Sequence, residues 1–200
     1  MSEVKERPIL FSGPMVRAIL AGTKTQTRRT VKPQPDHCHK FPDTGLLPQI
    51  GDREIKCPYG APGDRLWVRE TWCYFGAGDS HIGYRATDED RLSPDAFDKW
   101  RPSIHMFRRM SRIDLEIVSV RVERLNDISE ADAIAEGVHE LPLQKGEPGA
   151  WWTGDTSKGA MLHARTPVDA YRKLWTEING LESWPSNPHV WVVEFRRVRP

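Results

Sequence analysis

The run Gly22-Thr23-Lys24-Thr25-Gln26-Thr27-Arg28-Arg29 gathers an amine, several hydroxyls and two guanidinium groups into one short stretch. Lys24 supplies a cation, or a proton-accepting amine if burial lowers its pKa. Thr27 offers a hydroxyl that a neighbouring base can activate as a nucleophile. Arg28 and Arg29 carry planar forks suited to phosphate or carboxylate. The same residues would also suit a solvated turn entering an edge strand. On a regular strand Lys24 and Thr27 face opposite sides, so a shared site requires a turn or bulge between them. Glu136 is the second candidate. It falls near the end of a short helical segment, where a carboxylate opposes the helix macrodipole and gains nothing locally. That placement points to a role elsewhere, or to one more exposed glutamate.

A metal is the third possibility. His37, Cys38, His39 and Cys57, with His81 or His105, are zinc-ligating types, but their spacing fits no closed four-ligand pattern. Cys57 precedes Pro58 and suits a loop equally well. Neither metal nor cofactor is expected. The chain has no Walker loop, dinucleotide fingerprint, zinc-protease motif or nucleophile elbow, and Gly76-Ala77-Gly78 reads as a turn.

The elements that would position these residues follow from periodicity. Pro8 to Phe11 reads as a short strand. Pro14 to Ala21 reads as a helix, with Met15, Ala18 and Ile19 on one face, Ser12 as cap and Gly22 at the C′ position. Thr25 to Val31 is a threonine-rich strand ended by Pro33 and Pro35. Residues 33–62, rich in proline, glycine and polar types, read as a long loop. Gly63-Asp64 turns into a strand over 65–72, and Ser80 to Ala86 is another strand. Asp88 to Lys99 reads as a surface loop with a helical turn.

Arg112 to Leu125 is the clearest strand. Ile113, Leu115 and Ile117 alternate, then Val118, Val120 and Val122 alternate in the opposite phase, which predicts a bulge or sharp bend between Ile117 and Val118. Ser129 to Asp132 opens a short helix with a capping-box pattern, running to Glu136 before Gly137. Residues 139–165 form a second irregular stretch. Thr166-Pro167 starts a helix that reaches Ile178 and stops at Asn179-Gly180. His189 to Val198 is the last strand. The sum is an α+β fold, a compact mixed barrel with roughly two or three helices and about five or six strands.

Bulk properties narrow the function classes. A length of 200 residues fits one domain with a sizeable core. The net charge of +1 gives no global field toward nucleic acid or membrane. Local basic clusters (Lys24, Arg28, Arg29, Lys32; Arg108, Arg109, Arg112; Arg196, Arg197, Arg199) would make a patch if they shared a face, or are ordinary solvated positions. No stretch is apolar for long enough to span a bilayer, and Met1 to Arg7 lacks a signal-peptide core. Three cysteines do not make a disulfide framework, so a cytoplasmic location is expected. Of the eight tryptophans, Trp67, Trp72, Trp175 and Trp191 fall in apolar-periodic segments and are expected in the core. Trp100, Trp151, Trp152 and Trp184 fall in loop-like sequence, where they stack on bases or anchor loops.

The run from Pro8 to Gly22 followed by Thr23-Lys24-Thr25-Gln26-Thr27-Arg28-Arg29 resembles the N-terminal signature of the ASCH family, PUA-like small β-barrels associated with RNA and modified nucleosides. Gly63 to Val68 resembles that family's glycine-aspartate turn into a barrel strand. Ile128 to Gly137 resembles its short helix, and Val190 to Phe195 its closing strand. The resemblance covers about half the chain. Residues 33–60, 73–111 and 139–165 exceed the minimal barrel as insertions in a single domain, a form similar to members carried by phages and prophages, with Cys57-Pro58-Tyr59-Gly60 and Trp67 to Trp72 in common.

Some ASCH proteins remove the acetyl group from N4-acetylcytidine with a lysine, a threonine and a glutamate. Carried over, these are Lys24, Thr27 and Glu136. The resemblance then implies an amidohydrolase on an N4-acylated cytosine nucleoside or related base. Arg28, Arg29 and Thr25 would contact the substrate, and Trp67 or Trp72 would stack on it or pack the core. The alternatives are a non-catalytic module that reads RNA or modified nucleic acid through the same cleft, and a ribonuclease using Lys24 and the arginines on phosphate. The expected partner is a nucleoside or a single-stranded nucleic acid, not a membrane.

Overall fold

The longest alternating segment of the sequence becomes the longest strand, and the other elements are arranged around it. The computed structural model describes residues 3–41, 45–78, 80–93, 95, 97, 99–141, 150–153 and 162–198. In chain order the strands are β1 (Glu6–Leu10), β2 (Gln26–Thr30), β3 (His37–Phe41), β4 (Gly45–Ile50), β5 (Arg53–Glu54), β6 (Arg65–Arg69), β7 (Trp72–Phe75), β8 (His81–Tyr84), β9 (Asp114–Arg124), β10 (His139–Leu141), β11 (Ala150–Thr153), β12 (Leu162–Ala164) and β13 (His189–Val198). The α-helices are α1 (Gly13–Leu20), α2 (Arg85–Asp88), α3 (Glu130–Ala135) and α4 (Pro167–Asn179). The fold is α+β.

The central sheet has five strands in the order β1-β6-β9-β13-β2. The β1–β6 pair is parallel and the other neighbours are antiparallel. The expected irregularity in β9 is present. Ile117 pairs with Phe195 and Ser119 with Glu194, which leaves Val118 as the extra residue. Val118 is 52% exposed, and the bulge lets Leu115 and Ile117 on one side of it, and Val120 and Val122 on the other, face the same core. Among the described residues no sheet closes on itself.

Alternate residues of β13 serve two cores. Trp191, Val193 and Phe195 join Leu115, Leu66, Phe11 and the α1 residues Val16 and Ile19 in the main cluster. Val190 and Val192 face the other way, toward Tyr171 and Trp175 of α4 and Ala133 of α3. Helix α3 begins with a complete capping box: Ser129 Oγ accepts from the Asp132 N–H, and the Asp132 carboxylate accepts from the Ser129 N–H. Helix α4 is capped by Thr166, whose hydroxyl oxygen accepts from the Asp169 N–H, and stops at Gly180 with φ +94°.

Several expectations need correction. The stretch 33–62 is not a loop: it holds the sheet β3-β4-β5, with Cys38, Leu46 and Ile55 packed on the main core. The region 73–111 contains the β7–β8 hairpin and α2, and 139–165 contains the sheet β10-β11-β12, whose Trp151 packs beside α4. Polar composition hid these strands because each has only one face to bury. The described residues therefore hold four α-helices and thirteen strands, more than expected. In α1 the buried face is Val16 and Ile19, with Met15 partly covered. No helix among the described residues is long and apolar enough to cross a membrane.

Candidate active site

Gly22, at φ +76°, turns the chain out of α1, and the N–H groups of Thr23 and Lys24 both donate to the Ala18 carbonyl. Lys24 thus sits in a turn before β2 begins at Gln26, which supplies the break needed for Lys24 and Thr27 to share a site. Its Nζ donates to Glu136 Oε2 at 2.6 Å and to the Glu136 carbonyl at 2.8 Å. Both residues are buried, at 2% and 6% exposure. Thr25 N–H donates to the Ala135 carbonyl at 2.9 Å, so the approach to β2 satisfies the last carbonyls of α3. Gly137, at φ +100°, lets the chain leave α3 directly over the lysine; a Cβ there would lie 3.5 Å from Lys24 Cβ. A carboxylate at a helix C-terminus is explained once this ammonium faces it.

Arg28 meets the same carboxylate from the sheet. Its Nη1 lies 3.5 Å from Glu136 Oε1, its Nη2 2.6 Å from Glu123 Oε1 and 3.3 Å from Asp132 Oδ2. Its side chain has no exposed surface, and its guanidinium carbon stands 6.0 Å from the Tyr171 ring centroid. Arg121 extends the network to Asp132 at 2.8 Å, to Glu123 and to Glu194, and Gln26 Nε2 donates to Asp132 at 3.1 Å. Period-2 alternation places Gln26 and Arg28 of β2 on the face that carries Arg121 and Glu123 of β9.

Thr27 and Arg29 occupy the opposite face of β2. Thr27 is 2% exposed and pairs across the ladder with Val193. Its hydroxyl makes no hydrogen bond to any described residue. Arg29 Nη2 donates to the Leu10 carbonyl at 2.7 Å, its guanidinium lies 5.4 Å from the Phe11 ring centroid, and its Nε is buried without a partner. The Lys24 ammonium lies 5.9 Å from that same ring. Phe11 is therefore where Lys24 meets the Thr27–Arg29 face.

Charge states follow from burial. Desolvation lowers the pKa of Lys24 below the ordinary lysine value, opposed by the carboxylate of Glu136 and assisted by Arg29 and Arg28. Burial raises the Tyr171 hydroxyl well above its usual range, and the negative charge of Glu136 adds to the shift. Burial alone would raise Asp132, but hydrogen bonds from Ser129 and Gln26 and the charges of Arg28 and Arg121 bring it down to about 2.

No protein-family model, curated protein or solved structure matches this chain.

Lys24 and Arg28 both meet Glu136, Arg29 adjoins Lys24 across the Phe11 ring, and Thr27 lies on the face of β2 that carries Arg29. Arg28 is engaged by three carboxylates, so of the two arginines Arg29 is the one with a donor to spare. Thr25 is exposed and contributes through its backbone. Trp67 and Trp72 lie outside this cluster. Trp67 is half-buried beneath Arg69, a departure from the expected core position, whereas Trp72 is buried with Met106 and Met110. The basic clusters are largely neutralised: Arg108 pairs with Glu6 and Asp114, Arg112 with Glu70, and Arg196 with Glu116. Among the described residues no three potential metal ligands converge. His37 instead bonds Gln49, and Cys38 and Cys57 pack on the main core.

Glu123, Asp132, Tyr171 and Phe11 were not anticipated as site residues. Arg121 and Glu123, charged positions two apart on one face of a strand whose other face is leucine, isoleucine and valine, were the available signal. Asp132 was disguised by its service as a helix cap.

Proposed function

We propose that this chain belongs with the ASCH proteins and is an amidohydrolase that removes an acyl group from an N4-acylated cytosine nucleoside or a related modified base. On this reading the five-stranded sheet, bent at Val118, is the wall of a PUA-like barrel, and the three extra sheets and hairpins are its insertions. The observation that carries the proposal is the buried contact of Lys24 Nζ with Glu136 Oε2 at 2.6 Å, between residues 112 positions apart. A lysine whose pKa is pulled down by burial gives up its proton more readily than a solvated one, so it is better suited to act as a base, and the adjacent carboxylate can hold or relay the proton it takes up.

Thr27 Oγ attacks the acyl carbonyl carbon and passes its proton to neutral Lys24. The tetrahedral oxyanion is met by a cation, for which Arg29, on the Thr27 face of β2, has an N–H without a partner. The C–N4 bond breaks, and Lys24 and Glu136 return the proton to the leaving amine. Water then hydrolyses the threonine ester, releasing the carboxylic acid and restoring the hydroxyl. Incubation with N4-acetylcytidine, followed by ultraviolet spectroscopy and chromatography, tests this: cytidine and acetate are expected in equal amounts.

One observation favours a second reading, a non-catalytic module that binds modified bases or RNA. Lys24 and Thr25 also cap α3 through the carbonyls of Glu136 and Ala135, a purely structural use of the same contact. An absence of turnover, together with salt-dependent binding of RNA, selects it.

A further inference from the structure

A groove of about 430 Å³ lies away from the Lys24–Glu136 pair, between the end of β6, the start of β7 and the segment 101–107. Arg69, Trp72, Tyr74, Arg101, His105 and Phe107 line it, and among the described residues no carboxylate does. The guanidinium of Arg101 stands 5.3 Å from the ring centroids of both Trp72 and Tyr74. The backbones of Arg101 and Trp72 are joined by reciprocal hydrogen bonds of 2.7 and 3.2 Å, which fix that stack.

The donors in this groove are under-used. Trp72 is 2% exposed, yet its indole Nε1 is buried without a partner. Arg69 donates from Nη2 to the Ile104 carbonyl, but its Nε also lacks a partner. Among the described residues neither Arg69 nor Arg101 pairs with a carboxylate, unlike Arg108 and Arg112 close by in the sequence. Buried N–H groups with no acceptor are costly, and an anion with several acceptor oxygens would satisfy them. At the rim, Phe107 and Ile104 are each 58% exposed, and Arg109 lies with its guanidinium 5.0 Å from the Phe107 centroid.

An exposed flat ring with Arg109 against it, at the rim of a groove lined by Arg69 and Arg101, has the chemistry of a stacking platform along a phosphate track. We propose that this groove binds one nucleotide unit of a single-stranded nucleic acid. Arg101 and Arg69 hold its phosphate, and the base stacks on Phe107. Arg109, beyond the stacking ring, is placed for the next phosphate, which favours a strand over a free nucleotide. The inference is independent of hydrolysis at Lys24.

Fluorescence anisotropy with short labelled oligouridylate and oligothymidylate, over a range of salt, tests it. The full-length protein should bind, more weakly as salt rises. Phe107→Ala should weaken binding about tenfold through loss of one stacked base. Arg101→Gln should lower the salt slope by about one. Arg196→Ala, at an exposed position already paired with Glu116, should leave binding unchanged. Phe107 is exposed enough to be removed without loss of fold, so this arm stands even if Arg101→Gln misfolds. Failure of the wild-type protein to bind either strand, or wild-type binding by Phe107→Ala, overturns the proposal. Cytidine monophosphate competing as strongly as the oligonucleotides overturns the assignment to a strand.

Discussion

At the residue scale, Lys24 and Glu136 form a buried ion pair that has to be both stable and reactive. Removing one partner leaves the other charge uncompensated in the interior, which costs roughly 3–5 kcal/mol. Glu136→Gln should therefore lower stability by about that much, and Lys24→Met by a similar amount, in urea titrations. The double variant should recover part of the loss, because neither charge is then stranded. Lys24 also sets a pH dependence. Folded Lys24 releases its proton at lower pH than the unfolded chain, whose lysine retains it up to about 10.5. Between those two pKa values the unfolded state binds more protons, so this group's contribution to stability rises with pH across that window and is lost as pH falls through the folded value. Turnover should climb over the same range as neutral lysine accumulates. Lys24→Arg, which keeps the charge but cannot lose its proton, should be inactive at every pH.

At the element scale, α3 places Glu136 and the turn after α1 places Lys24. The capping box of Ser129 and Asp132 fixes where α3 starts, and Ser129→Ala should cost about 1 kcal/mol by thermal or chemical denaturation. Asp132 itself, held to about 2, contributes stability that is present above its ordinary value of 3.8 and lost as pH falls through about 2. Its worth is at most about 2 kcal/mol, reduced by solvent at its partly exposed edge. Gly137→Ala meets no severe clash but must hold φ near +100°, so a loss of about 1 kcal/mol is expected from backbone strain.

These elements were readable from residue order: Pro14 and Gly22 bracket α1, Ser129 and Gly137 bracket α3, and the phase change at Val118 marks the bulge. The partners of Glu136 were not, because a strand's faces are assigned only once its neighbours are known. Arg28 looked like a free substrate contact until β9 placed Glu123 beside it. The sheet β3-β4-β5 was missed for a related reason: Pro48 and the polar residues of 36–54 read as loop when taken alone, and only packing on the main core makes them strands.

At the scale of the whole molecule, β13 ties the two cores together, since adjacent residues Val192 and Val193 belong to different ones. Val192→Ala and Val193→Ala should each cost about 2 kcal/mol, and in both variants circular dichroism and tryptophan fluorescence should report one coincident transition. Two separated transitions would mean that the clusters fold independently and that α3 can move away from the sheet. The site straddles this junction, with Arg28 facing one core and Thr27 the other. The most direct measurement is kcat on N4-acetylcytidine for the wild-type chain, Thr27→Ala and Glu136→Gln, each confirmed folded by circular dichroism. Measurable wild-type turnover, falling by about a hundredfold or more in both variants, is the expected result. Turnover that survives both substitutions, or none in the wild-type protein, would contradict the assignment of Lys24, Thr27 and Glu136 as a catalytic set.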